Sequence, residues 1–319
     1  MNPKMTVKDA AEFLKISSRN VYKRLLDYGM PFTREGRHIY FSYTTARYLF
    51  NLSLKPKIVA LQIVKGGTGK TSLACALAVR ANLYGLRVLC IDLDQQGNLT
   101  SSFGVEAESL PVMVDILAEG YKYEEAITRV YPGMDILASR IENALLDDVI
   151  KLKKWPLNKV YSNAFKALRE QYDLIVIDCP PNLGQSVAAV TLAVDQVIAP
   201  VVAESYAMSG LKATRNAIKE LEESFHTKIP LSVVVNKYTP RTLLSPEAKQ
   251  MLSGCPVVHA SEEFPTAVLH GESLFDTLKP TAAKRDVDAL LRVILGIDQQ
   301  IFSMHKNTEF NTQMLETFV

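Results

Sequence analysis

The chain has 319 residues, 48% hydrophobic and 22% charged, with 36 Lys and Arg against 34 Asp and Glu, which excludes disordered and collagen-like classes. No apolar run reaches the roughly 18 to 20 residues of a membrane-spanning helix and the start, MNPKMTVKDAAEF, has no apolar signal core, so a cytoplasmic protein is expected. Cys75, Cys90, Cys179 and Cys255 are too scattered for a disulfide framework or a zinc site and read as buried small hydrophobes.

Charge is unevenly placed. Residues 1–55 carry ten Lys and Arg (Lys4, Lys8, Lys15, Arg19, Lys23, Arg24, Arg34, Arg37, Arg47, Lys55) against Asp9, Glu12, Asp27 and Glu35, a net of +6, and the remainder is at −4. A basic head on a mildly acidic body points to a polyanion as the partner of the head. Thr6 and Asp9 suggest a capping box for a first helix with Val7, Ala10, Ala11 and Leu14 on one face. Ser17 and Ser18 cap a second helix, with Val21, Leu25 and Leu26 inward and Arg19, Asn20, Lys23 and Arg24 outward. Two short helices on a tight turn, the second displaying donors at its start, have helix-turn-helix geometry. Gly29 and Pro31 end the unit, and Arg34-Glu-Gly-Arg37-His38 before Ile39-Tyr40-Phe41 reads as a hairpin wing. The segment resembles the small winged helix-turn-helix of the MerR and excisionase type; a plain structural cap is the alternative. Ser18, Arg19, Asn20, Lys23, Arg24, Arg34 and Arg37 are its candidate DNA contacts. Residues 1–50 form this head and 51–57, ending Lys-Pro-Lys, a linker.

A body follows over 58–298. Ile58 to Val64 is a near-continuous apolar run, as in a buried parallel strand, and leads into Lys65-Gly66-Gly67-Thr68-Gly69-Lys70-Thr71 and a helix through Leu73, Ala76, Leu77 and Ala81. Strand, glycine loop and helix form a phosphate cradle, here Gly66, Gly67, Thr68, Gly69, Lys70, Thr71 and Ser72. Glycines let backbone N–H groups surround the phosphates, Lys70 reaches the outer ones, and the Thr71 hydroxyl can bind Mg²⁺. The loop lacks the first Gly of GxxxxGK[ST] and carries Lys65 instead. KGGTGKT therefore resembles the deviant Walker A motif of the ParA/MinD family of dimeric ATPases.

That resemblance implies ATP and Mg²⁺ as cofactors and a catalytic set of Lys65, Lys70 and Asp94. Lys65 would cross a homodimer interface to the partner's nucleotide, a trans-acting cation on the charge of phosphoryl transfer. Arg87 to Leu93 is a second strand, ending Asp92-Leu-Asp94-Gln95-Gln96-Gly97-Asn98, which looks like the family's DxDPQGN segment with Gln95 replacing Pro. By resemblance Asp94 positions the attacking water and Asp92 sits near the metal. The strand Asp173 to Asp178 resembles Walker B, so the implied metal set is Thr71, Asp92 and Asp178. Strands Gln196 to Val202 and Ile229 to Val235 follow; the first leads to Glu204 and Gly210, and the second ends in Asn236, the implied adenine contact. Alternating strands and helices predict an α/β P-loop NTPase, a mostly parallel sheet wrapped on both faces.

Departures bear on partners. Arg241 matches one DNA-binding position of the family, whereas Glu262 and Glu263 stand where relatives carry arginines and would repel DNA phosphates, which shifts the load to the head. Arg215, Lys219, Lys284, Arg285 and Arg292 are the competing candidate patch. The tail, 299–319, lacks a basic amphipathic pattern, so no membrane partner is expected. The resemblance implies a nucleoid-associated plasmid-partition ATPase whose dimer binds DNA, is stimulated by a ParB-like partner and represses its own operon through the head. Positioning of a non-DNA cargo, a nucleotide-switched transcription regulator and an iron–sulfur reductase are the alternatives; the last lacks suitable cysteines.

Overall fold

The computed structural model describes residues 1–202, 207–240, 246–269 and 271–298. Arg241, Glu204 and the 299–319 tail, all named above, lie outside the described residues.

The head holds β1 (Met5–Thr6), α1 (Val7–Leu14), α2 (Ser18–Asp27), β2 (Thr33–Glu35), β3 (His38–Phe41) and α3 (Tyr43–Phe50). Thr6 Oγ1 accepts from the Asp9 amide at 3.0 Å and Ser17 Oγ from the Asn20 amide at 3.2 Å, so each helix begins on a side-chain cap. Ser17 alone is the cap of α2, and Ser18 is its first helical residue. Between the helices Lys15 takes φ 53°, a left-handed C-cap. Strands β2 and β3 pair antiparallel around Gly36-Arg37, with Gly36 at φ 56°, and β1 adds to β3. Two expected core positions differ. Phe13 is buried and Leu14 only partly so. Leu26 is 53% exposed, because Val21 and Leu25, four apart, already define the inward stripe and Leu26 lies about 100° round the helix.

The body is an eight-stranded sheet in the order β11-β10-β9-β4-β8-β5-β7-β6. Its strands are β4 (Lys57–Leu61), β5 (Val88–Asp92), β6 (Ile127–Tyr131), β7 (Met134–Leu137), β8 (Leu174–Asp178), β9 (Gln196–Val202), β10 (Leu231–Tyr238) and β11 (Val257–His259). All neighbours run parallel except the edge pair β6 and β7. Alternate side chains fill two cores. Val59 and Leu61 join one face, Ile58 and Ala60 the other. Lys57 already belongs to β4 and pairs with Leu174, which shortens the expected linker. Asn236 lies inside β10 opposite Val202, not beyond the strand end.

Helix α4 (Lys70–Leu83) follows the glycine loop and is buried nearly all round. Its far end carries the head. Met5, Val7, Phe13, Val21, Leu25, Phe41 and Phe50 share one core with α4 and with the helix Ala282–Leu295. The Phe13 ring lies 4.3 Å from Tyr84 and 4.9 Å from Phe50. Arg80 Nε donates to Asp288 Oδ1 at 2.6 Å and Nη2 to the Tyr84 hydroxyl at 3.3 Å, while Tyr84 donates to Asp288. Nη1 lies 3.7 Å from Met5 Sδ. Arg47 of α3 donates to Gly85 O at 2.8 Å and to Asp173 at 3.2 Å. Gly85 takes φ 79°, and a Cβ there would strike the Arg47 backbone. The head is thus packed onto the body rather than tethered to it.

Candidate functional site

The carboxyl ends of the central strands converge on one polar cluster. Asp92 and Asp178 are register partners on β5 and β8, and the loop 65–69 leaves β4, which neighbours β8. Gly67 and Gly69 take φ 74° and 84°, left-handed values that glycine adopts without a Cβ penalty. The loop's carbonyls are engaged behind it: Lys70 Nζ donates to Lys65 O at 3.4 Å, Lys237 Nζ to Gly67 O at 2.8 Å, and Asn236 Nδ2 to Thr68 O at 2.8 Å. The helix Ala207–Phe225 braces the same loop. Thr214 Oγ1 accepts from the Val64 amide at 3.2 Å, and a Cβ on Gly210 would sit 3.1 Å from Val64 O.

Thr71 Oγ1 donates to Asp178 Oδ2 at 2.6 Å. Asp178 Oδ1 and Thr68 Oγ1 are buried without a hydrogen-bond partner. Orphaned buried oxygens are costly, and here they face the cradle expected for a phosphate and a hard cation. A hydroxyl, a carboxylate and a lysine at a helix start fit Mg²⁺ with a polyphosphate. Burial, reinforced by Asp92, holds the Asp178 carboxyl above the usual carboxylate range, and burial lowers the Lys70 ammonium against the opposing pull of Asp178 and Asp94. An added cation would relieve the crowding of acids.

Asp92 is held by its own loop. Its Oδ2 accepts from the Thr100 amide at 2.9 Å and the Thr100 hydroxyl at 2.8 Å, and its Oδ1 from the Asp94 amide at 3.1 Å. Three hydrogen bonds from its own loop let Asp92 shape the turn that carries Asp94. Ser139 Oγ donates to Asp94 O at 2.7 Å and the Ser139 amide to Thr100 Oγ1 at 2.9 Å, which ties that turn to β7. Asp94 Oδ1 accepts from the Gln96 amide at 3.1 Å.

Beside Gly69 and Ser72 opens a cavity of about 540 Å³, lined also by Asn236, Lys237, His259 and Phe264. Glu262 lines it too and is exposed, and Glu263 accepts from Thr281 Oγ1 at 3.1 Å beside the helix start at 282. Of the five cations of the competing patch, Lys284 donates to Thr277 O and Lys279 O, Arg292 to Asp298, and Lys219 pairs with Glu223, while Arg215 and Arg285 are exposed. Ser18, Arg19, Asn20, Lys23, Arg24, Arg34 and Arg37 are all exposed on the head, which meets the far end of the 14-residue α4, roughly 20 Å from the loop. Thr100, Ser139, Thr214 and Lys237 were not singled out from sequence. Only Lys237, next to Asn236, carried a local signal.

The family model described as an AAA domain matches residues 56–231. The "Sporulation initiation inhibitor protein Soj" of Bacillus subtilis is 32% identical over 182 residues, 56% of this chain and 71% of that protein. The "Chromosome-partitioning ATPase Soj" of Thermus thermophilus is 33% identical over 203 residues, 63% of this chain and 77% of that protein. The chain belongs to the ParA/MinD family of ATPases. Among solved structures, a putative plasmid partition protein of Borrelia burgdorferi bound to AMPPNP superposes with a TM-score of 0.61 at 21% identity, covering 77% of this chain and 99% of that one. A cobyrinic acid a,c-diamide synthase of Mycobacterium smegmatis with an ATP analogue and magnesium superposes at 0.61 and 26% identity, covering 74% and 95%. The family thus places this P-loop ATPase among partition and positioning proteins. No described helix is long and apolar enough to cross a membrane.

Proposed function

We propose that this ATPase partitions DNA, its N-terminal head serving as a winged helix-turn-helix that binds DNA and its body closing into an ATP-dependent homodimer. The observation that carries the reading is one chain in which the body with the deviant loop and Lys65 shares a buried core with a head displaying Arg19, Asn20, Lys23 and Arg24 on one exposed helix face. Plasmid DNA as cargo, a ParB-like centromere-binding partner that stimulates hydrolysis, nucleoid association and repression of the chain's own operon complete it.

ATP and Mg²⁺ are its substrate and metal. Mg²⁺ when bound neutralises phosphate charge. The amides at Gly66 to Thr71 surround the phosphates, Lys70 reaches the outer ones, and Thr71 with Asp178 holds the metal side. Asp94 orients the attacking water and accepts its proton, while Asp92 and Ser139 fix the turn bearing Asp94. Lys65 reaches the partner subunit's nucleotide, so turnover waits on dimerisation. Asn236 and the cavity beside Ser72 receive the base.

A second reading, positioning of a cargo other than plasmid DNA, draws on a 29% identity over 241 residues to the "Cell division protein PomZ" of Myxococcus xanthus. Steady-state ATP hydrolysis by the wild type and Lys65→Ala, with and without non-specific duplex DNA at two salt concentrations, separates them. Weak turnover that DNA raises at low salt and that vanishes with Lys65→Ala is expected. Turnover indifferent to DNA would favour the other cargo or a nucleotide-switched regulator.

A further inference from the structure

A glycine loop turns its amides toward phosphate only when its carbonyls face away and find partners there. Here two consecutive carbonyls, Gly67 O and Thr68 O, are held by two consecutive side chains of β10, Lys237 and Asn236. Neighbouring side chains of a strand normally leave opposite faces. These two converge because the ladder to β11 is irregular between Val235 and Tyr238 and Lys237 takes φ 53°, a left-handed backbone uncommon for lysine. A side chain kept at an unfavourable backbone angle beside a reactive loop is an observation from which function is inferred. The Lys237 stem also runs along the loop. A Cβ on Gly69 would sit 3.6 Å from Lys237 Cε, and Lys237 lines the 540 Å³ cavity next to Ser72.

We infer that Lys237 is a positioning residue for nucleotide binding. Its ammonium anchors and polarises the Gly67–Thr68 peptide so that the Thr68 amide is presented to phosphate, and its stem forms part of the wall against which the base lies. A charged donor on a carbonyl makes a stronger bond than a neutral one, and a peptide polarised at its oxygen donates more strongly from its nitrogen. Asn236, on the next carbonyl, supplies geometry without charge. Lys237 is exposed at the cavity mouth, and a nucleotide there covers it, which strengthens the bond by excluding water.

The inference rests on the loop being the ATP site, and the test separates the two. In the full chain, Lys237→Asn, Lys237→Met and Lys237→Arg are compared with the wild type by equilibrium binding of a fluorescent ATP analogue, by competition with inorganic tripolyphosphate and with adenosine, and by thermal unfolding without nucleotide. Lys237→Asn should keep the wild-type Tm, since Asn tolerates the left-handed backbone, yet weaken ATP and tripolyphosphate about tenfold. Lys237→Met should show the same weakening despite its retained stem, Lys237→Arg should recover most of it, and adenosine should compete equally in Lys237→Met, Lys237→Arg and wild type but more weakly in Lys237→Asn, which has lost the stem. Unchanged ATP and tripolyphosphate affinity in Lys237→Asn and Lys237→Met, or a loss confined to variants with lowered Tm, overturns the role of Lys237. Failure of the wild type to bind either triphosphate would overturn the site itself.

Discussion

At its first turn α4 presents Lys70 and Thr71 to a cluster in which Asp178 Oδ1 and Thr68 Oγ1 have no partner, while at its last turn Arg80 and Tyr84 sit in a cluster where Asp288, Met5 and Phe275 surround every polar group. Both ends bury charge. The first leaves oxygens unsatisfied, which is tolerable where a cation and phosphates complete the set; the second satisfies them internally, which suits a joint that holds two parts of one chain together. Unsatisfied polarity marks the reactive end of this helix, and saturated polarity marks its structural end.

The sharpest way to separate the ends is to damage each alone. Asp94→Ala should leave ATP binding, DNA binding and Tm intact while lowering turnover by about 10² to 10⁴, the range for loss of a proton-accepting group, as measured by phosphate release at saturating ATP. Normal turnover would remove Asp94 from the reactive end. At the other end, Arg80→Ala removes a buried guanidinium from a half-buried Asp288 that keeps Tyr84 and Arg292, and should cost about 3 kcal/mol, read as a large fall in Tm and as new proteolytic cleavage near residues 51–56. Gly85→Ala, at φ 79° and against the Arg47 backbone, should cost about 1 to 3 kcal/mol through the same joint, with ATP affinity preserved. A variant of that joint that lowered ATP affinity as much as Tm would break the division between the ends.

The smallest effect is one of pH. Burial alone would raise the Asp173 carboxyl, but the hydrogen bonds and charge of Arg87, with Arg47 of the head, hold it below the usual carboxylate range. A group with a lowered folded value contributes stability above its unfolded value, near 3.9, and loses it as pH falls through the lower folded one. Asp173→Asn should therefore flatten the dependence of Tm on pH below about 4.

Much of the reactive end was legible because its signals are local. The glycine loop, its strand and its helix lie within 58–83, and the Asp94 and Asp178 stations each sit at the end of an apolar run. What sequence hid depended on distance or on angle. Arg80 meets Asp288 across 208 positions, so nothing near either residue announces the joint. Helix α3 and the antiparallel edge pair β6 and β7 span only eight, five and four residues, and periodicity over so few residues does not separate strand from helix. The loop-shaping bonds of Asp92 were hidden because two of them come from Thr100, eight positions on. Leu26 shows the limit of apolarity as a guide: one residue past the inward stripe is enough to turn a leucine to solvent.

The joint at Arg80, Gly85 and Phe13 also makes the molecule a ruler. On the proposed function, heads packed in this way would let the meeting of the bodies set the gap between the α2 helices of two paired subunits, and a duplex bound by both would offer half-sites at that gap, near a whole number of ~10 bp turns. Inserting half a turn between half-sites should then abolish paired binding, whereas flexibly leashed heads would tolerate it.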